Sequence, residues 1–303
     1  MSRTILVTGA TGKQGGSVVA ALLAAKADFN ILALTRDASS PSAQRLASKS
    51  ANITLVEGNL DDAGAVFTNA TKVSTSPIWG VFSVQTPAMN SKGPIIEEKQ
   101  GKDLIDAALQ NEVKHFVYSS VDRNGIKSID HPTDIPHFIS KHNIEHHLLR
   151  KTTGTEMEWT ILRPVAFMEN FDGGFVGKIF ASCWKLAVSR PLQLIATSDI
   201  GVFGAKAFMD PNQFAGKSIS LAGDELTYDQ MNAVFKKKTG SDVPLTWGIL
   251  ARLTFWLSKE MSTMFKFFEN EGYGANIKEL QCINPELKSL ETWLEGSPYV
   301  KRP

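Results

Sequence analysis

Cysteine is scarce in this chain, and its charges nearly cancel. The 303 residues include two cysteines, Cys183 and Cys282, which lie far apart and form no CxxC pair. This usage fits a reducing compartment, although a single disulfide between them stays compatible with the sequence. The 32 basic residues oppose 31 acidic residues, giving a net charge of +1. Such a balance predicts no direct binding to nucleic acid and no general attraction to anionic membranes.

Long hydrophobic runs are also missing. No apolar segment approaches the ~20 residues that a bilayer span needs, so we expect no membrane partner. The chain enters a strand-like stretch within its first residues, which predicts no signal or transit peptide. We therefore expect a cytoplasmic location, with nuclear entry open. Hydrophobic residues still make up 43% of the chain, enough for a large core in one or two domains.

The most informative stretch is a glycine-rich turn near the start. The apolar run Ile5–Val7 suits a buried parallel strand, and helix-forming residues follow from Ser17. Between them, three glycines are spaced GxxGxxG rather than GxGxxG. In such a turn the first glycine permits a sharp bend, the second a close approach to a pyrophosphate, and the third close packing of helix on strand. The turn, which predicts a dinucleotide site, contains Gly9, Thr11, Gly12, Lys13, Gln14 and Gly15.

The second predicted strand, Phe29–Thr35, ends in Arg36 and Asp37. In a βαβ nucleotide fold, an acid at this point accepts a hydrogen bond from the ribose 2′-hydroxyl of NAD, whereas an arginine accommodates the 2′-phosphate of NADP. Arg36 therefore favours NADP, and Lys13 could add a second positive charge. Asp37, one residue later, weakens the preference.

Five predicted strands alternate with helices over the first 120 residues, which indicates a doubly wound parallel α/β sheet of the Rossmann type. Ligands of such sheets bind at the carboxyl ends of the strands. The third, fourth and fifth strands end in Asn59 and Leu60, in Gln85, Thr86 and Pro87, and in Ser119 and Ser120.

A helix predicted to follow these strands carries the candidate catalytic residues. His137 and Lys141 are four residues apart and so share one helical face. Lys141 can reach the nicotinamide ribose, and His137 is a competent proton donor near neutral pH. His142 and His146 have a spacing that can hold a metal, but no HExxH motif and no third ligand accompany them, so we predict no metal site.

The C-terminal half predicts a smaller, mostly helical domain. We expect a Rossmann domain over residues 1–155, to which strands within 157–163 and 192–222 return. Residues from about 164–190 and 223–303 then form the smaller substrate or partner domain. The aromatic-rich stretch 244–268 is read chiefly as core, with a flat apolar pocket or a protein interface left open.

Several motifs together resemble the NmrA-like family of atypical short-chain dehydrogenases/reductases. The resemblance spans nearly the whole chain and rests on Val7–Gly16, Gly58–Asp62, Leu162–Phe171, Asp199–Phe203 and Leu221–Thr227. It implies bound NADP(H), with contacts from Gly9, Thr11, Gly12, Gln14, Gly15, Arg36, Asn59, Gln85, Thr86 and Lys141. It also implies that the segment Pro164 to Phe167 passes the nicotinamide.

One departure from this pattern affects the expected chemistry. Typical short-chain reductases place a tyrosine four residues before the lysine, where this chain has His137. Two hypotheses follow: an NADPH-dependent oxidoreductase acting on a small carbonyl or enone, and a non-catalytic NADP(H)-sensing redox regulator that binds a protein partner. A homodimer is compatible with either. The retained His137–Lys141 pair and the aromatic second domain favour the enzyme.

Overall fold

The computed structural model describes residues 2–85, 92–171 and 174–300. Strands and helices alternate regularly through the first half of the chain. These elements are β1 (Arg3–Val7), α1 (Lys13–Ala24), β2 (Phe29–Thr35), α2 (Pro41–Ala47), β3 (Ile53–Glu57), α3 (Ala63–Val73), β4 (Ile78–Ser83), α4 (Gly93–Gln110), β5 (His115–Ser119), a 3₁₀ turn (Gly125–Ile129), α5 (Pro136–Thr152) and β6 (Glu158–Pro164).

The second half is mainly helical, with short strands between its first helices. Its elements are β7 (Ala166–Phe167), a 3₁₀ turn (Met168–Phe171), α6 (Phe175–Ala187), β8 (Leu192–Ile195), α7 (Thr197–Met209), α8 (Pro211–Phe214), β9 (Lys217–Leu221), β10 (Asp224–Leu226), α9 (Tyr228–Thr239), α10 (Gly248–Leu257), α11 (Lys259–Asn270), α12 (Ile277–Ile283) and α13 (Leu290–Glu295).

The main sheet has seven strands in the order β3-β2-β1-β4-β5-β6-β9. The registers from β3 through β6 are parallel. Ile5, Leu6 and Val7 are fully buried, because helices cover both faces of a sheet of this type. The predicted doubly wound Rossmann sheet is confirmed, and the C-terminal region is helical as expected.

A second sheet corrects one expectation about the chain's path. We expected Leu192–Ile195 to return to the main sheet, but the three-stranded order is β10-β8-β7. In it, β8 runs antiparallel to β10 and parallel to β7. The reason is that β9, not β8, takes the position beside β6 at the edge of the main sheet.

The chain divides into two compact units, and neither is one continuous segment. Unit 1 comprises Met1–Val121, His137–Arg163 and Ile200–Ile219, and unit 2 comprises Asp122–Pro136, Pro164–Asp199 and Ser220–Pro303. Residues 122–136, which we had placed in the Rossmann domain, therefore group with unit 2. Their loop is fastened there because the carboxylate of Asp122 accepts a hydrogen bond from the amide of Gly274, at 2.9 Å.

Candidate functional site

The glycine turn has the geometry that its sequence predicts at two of its three glycines. Gly9 adopts a left-handed φ of +57°, which turns the chain off β1. A Cβ atom on Gly15 would lie 2.4 Å from the carbonyl oxygen of Thr8, closer than any side chain tolerates. Only glycine therefore allows α1 to pack this closely on the end of β1.

The first turn of α1 is open to an anion. Gly12 is its N-cap and supplies no side-chain hydrogen bond, and the first turn holds no acidic residue. Amides at such a helix start attract negative charge. Thr11, Gly12 and Lys13 are exposed, whereas Gln14 is half-buried and accepts a hydrogen bond from Ser119 Oγ at 2.6 Å. Four predicted binding residues thus lie at the carboxyl ends of β1 and β5.

Arg36 and Asp37 follow β2, and the carboxylate of Asp37 is hydrogen-bonded within its own turn. Both are exposed beyond the end of β2. The carboxylate of Asp37 accepts hydrogen bonds from the hydroxyl (2.6 Å) and the backbone amide (2.8 Å) of Ser39. These bonds, the side-chain one most, lower the pKa of Asp37. The acid that weakened the NADP preference is therefore engaged in its own turn.

The ends of β3 and β4 carry the remaining predicted cofactor residues. Asn59 is exposed and donates to Asp61 Oδ2 at 2.7 Å, while Leu60 packs against the core. Gln85 is buried and donates to Ser83 Oγ at 2.9 Å; its Oε1 has no donor among the described residues. Thr86 and Pro87 lie outside the residues that the structure describes.

The two candidate catalytic residues lie in the first turns of α5, which begins at Pro136. His137 is half-buried, with its ring centroid 4.7 Å from that of Phe138. Lys141 is only 9% exposed, and its Nζ lies 2.8 Å from Oε1 of Glu97 on α4. Glu97 also accepts a hydrogen bond from Ser140 Oγ, at 2.6 Å. Sequence reasoning did not identify Glu97, whose carboxylate is buried at a position four residues before Gly101 on the inner face of α4.

A second buried ion pair, also missed from the sequence, fixes the middle of α5. Arg163 at the end of β6 binds Glu145 through Nε (3.2 Å) and Nη2 (2.7 Å). Ser120 Oγ donates to the same carboxylate. Both charged side chains are almost wholly buried, at 3% and 0% exposed. The pair therefore ties the helix that carries Lys141 to the carboxyl ends of β5 and β6.

The histidines of α5 contact one another and a neighbouring aspartate. The rings of His142 and His146 lie 4.3 Å apart, and His147 Nε2 lies 2.9 Å from Asp106 Oδ1. Within the parts of the chain that the structure describes, no three His, Cys, Asp or Glu side chains are grouped as metal ligands.

Unit 2 contains the two other residues that the resemblance assigned to the cofactor. Pro164 is buried at the end of β6, and its carbonyl accepts from the amide of Asp122 at 3.0 Å. Phe167 is half-buried in β7, opposite Ile195. Of the aromatic-rich stretch, Phe265, Phe267 and Phe268 belong to the core, as expected, whereas two tryptophans are exposed. These are Trp247 (83%) and Trp256 (79%).

Comparison with known proteins identifies relatives over nearly the full length. A model of the NmrA-like family matches residues 1–295. The NmrA-like family domain-containing oxidoreductase lnaB of Aspergillus flavus is 27% identical, with 98% of this chain and 93% of the relative covered.

Two solved structures share the fold at low sequence identity. The NADPH-dependent quinone oxidoreductase QOR2 of Escherichia coli, solved with NADPH, superposes with a TM-score of 0.72 and 20% identity, covering 96% of this chain and 99% of the other. The negative transcriptional regulator NmrA, solved with NAD, has a TM-score of 0.70 and 18% identity, covering 97% and 94%. Among the described residues, no helix is both long and apolar enough to cross a bilayer.

Proposed function

The chain belongs to the NmrA-like family, and we propose that it is an NADPH-dependent oxidoreductase acting on a small carbonyl or enone. The observation that carries this proposal is the turn between β1 and α1. Gly15 has no room for a side chain, and the helix start beside it has neither a capping side chain nor an acid. Such a cradle fits a pyrophosphate. The relative lnaB is named an oxidoreductase, which agrees with this reading.

The choice of NADP over NAD follows from the end of β2. Arg36 is exposed there, while the carboxylate of Asp37 is held by Ser39. An arginine at this point suits a 2′-phosphate, because a guanidinium forms strong, charge-assisted hydrogen bonds with phosphate oxygens. Lys13 in the glycine turn adds positive charge for the same cofactor.

Two residues of α5 have separate roles in this proposal. NADPH, when bound, supplies a hydride to the electrophilic carbon of the substrate. His137 donates the proton that the reduced oxygen or carbanion needs, and Lys141 hydrogen-bonds the nicotinamide ribose. The remaining cofactor contacts come from Asn59, Leu60 and Gln85 at the strand ends, with Thr86, Pro87, Pro164 and Phe167 as further contacts predicted from the sequence.

The proposal is tested by NADPH oxidation against a panel of quinones, ketones and enones, followed at 340 nm. We expect turnover with at least one class, and a loss of about 100-fold in kcat for His137→Phe, since general acid catalysis contributes roughly 10²–10⁴-fold. Tight NADPH binding without turnover of any compound, and no loss of any activity in His137→Phe, would rule out the oxidoreductase function.

Cofactor preference has its own test. Arg36→Glu is expected to weaken NADPH binding about 100-fold and NADH binding about threefold or less, because only NADPH carries the 2′-phosphate. Titrations of intrinsic fluorescence with each dinucleotide measure both constants. An equal loss for both would show that Arg36 does not read the 2′-phosphate.

A second candidate function is favoured by one observation, the histidine at position 137. Without the usual tyrosine, the chain could act as an NADP(H)-sensing regulator, in which bound dinucleotide shifts the protein between states of different partner affinity. In that case NADPH and NADP should bind with different affinities, no substrate should be reduced, and a protein partner should be retained by only one of the two complexes.

A further inference from the structure

Glu97 carries a buried carboxylate near the candidate site. Its side chain is fully buried, and it holds two groups of α5 at once: Ser140 Oγ donates to Oε2, and the Lys141 ammonium lies 2.8 Å from Oε1. The contact with Lys141 is an ion pair rather than an aligned hydrogen bond, because Oε1 accepts none from the described residues. The positive charge of Lys141 is thus balanced by the carboxylate oxygen that it approaches.

Glu97 and its neighbour Glu98 have opposite surroundings on α4. Glu98 is half-buried and interacts with the surface residues Lys102 and Asn143. Glu97 points into the protein, where an ionised side chain is costly unless a partner of opposite charge is present. The same cost applies to Lys141, whose side chain is 11% exposed.

We propose that Glu97 is the positioning residue for Lys141: its buried carboxylate pairs with the ammonium and holds it in place for the cofactor. This inference rests on the proposed function, in which Lys141 binds the nicotinamide ribose. Glu97 contributes no contact to the substrate; it acts through Lys141. A buried lysine that loses its counter-ion becomes neutral at a lower pH and then offers a weaker hydrogen bond to the ribose.

Ionisable residues of β5 and α5 also lie near Lys141. From β5, the ring of Tyr118 lies with its centroid 6.0 Å from Nζ. On α5 itself, His137 precedes Lys141 by one turn and Glu145 follows by one turn. Glu145 is already occupied by Arg163 and Ser120. Glu97 is therefore the carboxylate that pairs with Lys141. Any effect of pH through His137 is the same in the wild-type protein and in variants at Glu97, so it cancels when they are compared.

The experiment compares NADPH affinity of the wild type, Glu97→Gln and the matched control Glu98→Gln between pH 6.5 and pH 9. Glutamine keeps the shape but not the charge. We expect the ratio of the Glu97→Gln dissociation constant to that of the wild type to rise about 10-fold over this range, as Lys141 loses its proton. Glu98→Gln should keep a constant ratio, and Glu97→Asp, which restores the charge, should follow the wild type.

A ligand-free measurement reports the ion pair itself. In Glu97→Gln the folded state holds its proton on Lys141 less tightly than the unfolded state does, so folding becomes more favourable as pH rises. The deficit in melting temperature relative to the wild type should therefore shrink by about 4 °C from pH 6.5 to pH 9. If Glu97→Gln folds poorly, the double variant Glu97→Gln/Lys141→Met should melt higher than Glu97→Gln alone, since it buries no unpaired charge.

The outcomes separate the two claims. If the wild type binds no NADPH, the proposed function fails, and the role of the pair toward a cofactor fails with it. If the wild type binds NADPH but the ratio of dissociation constants for Glu97→Gln is independent of pH, the positioning role is overturned while the proposed function stands. A melting deficit that is equally constant with pH would show that Lys141 does not depend on Glu97.

Discussion

The two ends of the main sheet bury ionisable side chains in opposite ways. At the carboxyl ends of the strands, the carboxylates of Glu97 and Glu145 each meet a cation, Lys141 and Arg163. At the amino ends, His115 is fully buried beside Trp79 and Phe208, with ring centroids 5.8 and 6.0 Å away. In the part of the chain that the structure describes, this imidazole has no ion-pair partner. Burial, and then the positive charge of Arg3, lower its pKa to about 4.

The hydrogen bonds of His115 agree with a neutral ring. Thr160 Oγ1 donates to the carbonyl of Phe214 at 2.9 Å, so it accepts from His115 Nε2–H at 3.0 Å. Nδ1 then carries no proton and has no partner among the described residues. This sheet therefore keeps buried charge where it is paired, at the candidate site, and holds His115 neutral at the other end.

The largest expected effect comes from a substitution of Gly15, in the turn at the carboxyl end of β1. Gly15→Ala places a Cβ within 2.5 Å of two backbone carbonyl oxygens, those of Thr8 and Gly9. We expect a loss of about 5 kcal/mol in the free energy of unfolding, at the upper end for single substitutions, and at least a 100-fold loss of NADPH affinity. Urea unfolding and NADPH titration measure both. Gly64→Ala, where the nearest atom is 3.5 Å away, serves as the control and should not lose stability.

The next effect removes a paired charge at the same end. Arg163→Met leaves the buried carboxylate of Glu145 without its cation, which should cost about 4 kcal/mol. Combining it with Glu145→Leu should recover most of this loss, because no buried charge remains. Chemical denaturation of the single and double variants decides the matter; a double variant no better than the single one would argue for lost packing instead.

At the amino end the same logic predicts a dependence on pH. The pKa of His115 is about 4 in the folded protein and ordinarily 6.5, so only the unfolded chain takes up the proton between these values. The contribution of His115 to the free energy of unfolding is fully present above pH 6.5. It decreases by about 3 kcal/mol as the pH drops to 4. Urea midpoints across this range should fall less steeply in His115→Phe. Parallel pH profiles would mean that the ring is not neutral when folded.

The smallest expected effect concerns Arg3, at the amino ends of the strands. Arg3 is exposed, and its guanidinium lies 4.3 Å from the centroid of the Trp79 ring. Arg3→Gln should cost about 0.5 kcal/mol in cation–π attraction at neutral pH. It should also raise the pKa of His115, because the arginine's charge opposes protonation. The ring protons of His115, followed by NMR, report that shift directly, and an unchanged titration would assign the low pKa to burial alone.

Local patterns predicted much of this structure. The alternation of strands and helices and the glycine turn follow from hydrophobic runs and turn residues. Thr227 caps α9 in a full capping box with Gln230, a pattern that is readable from sequence. Asp62 caps α3 by accepting a hydrogen bond from the amide of Ala65.

What sequence reasoning missed depends on contacts between distant parts of the chain. Glu97 and Glu145 are ordinary helix residues in sequence, and only the fold brings Lys141 and Arg163 to them. The placement of β8 failed for a related reason: strand pairing depends on which edge is already occupied, here by β9. The hydrogen bonding of Asp37 is different, because it is local in sequence. An Asp two residues before a Ser is a recognisable Asx turn.

The division of the chain has a consequence for its synthesis. The polypeptide passes between the two units five times, and the last segment of unit 1 ends only at Ile219. While the chain emerges from the ribosome, β6 must wait for β9 with its outer edge unpaired, a state prone to association with other chains. No single cut can release either unit whole. Truncation from the C-terminus therefore cannot isolate a working Rossmann half by removing the other domain alone.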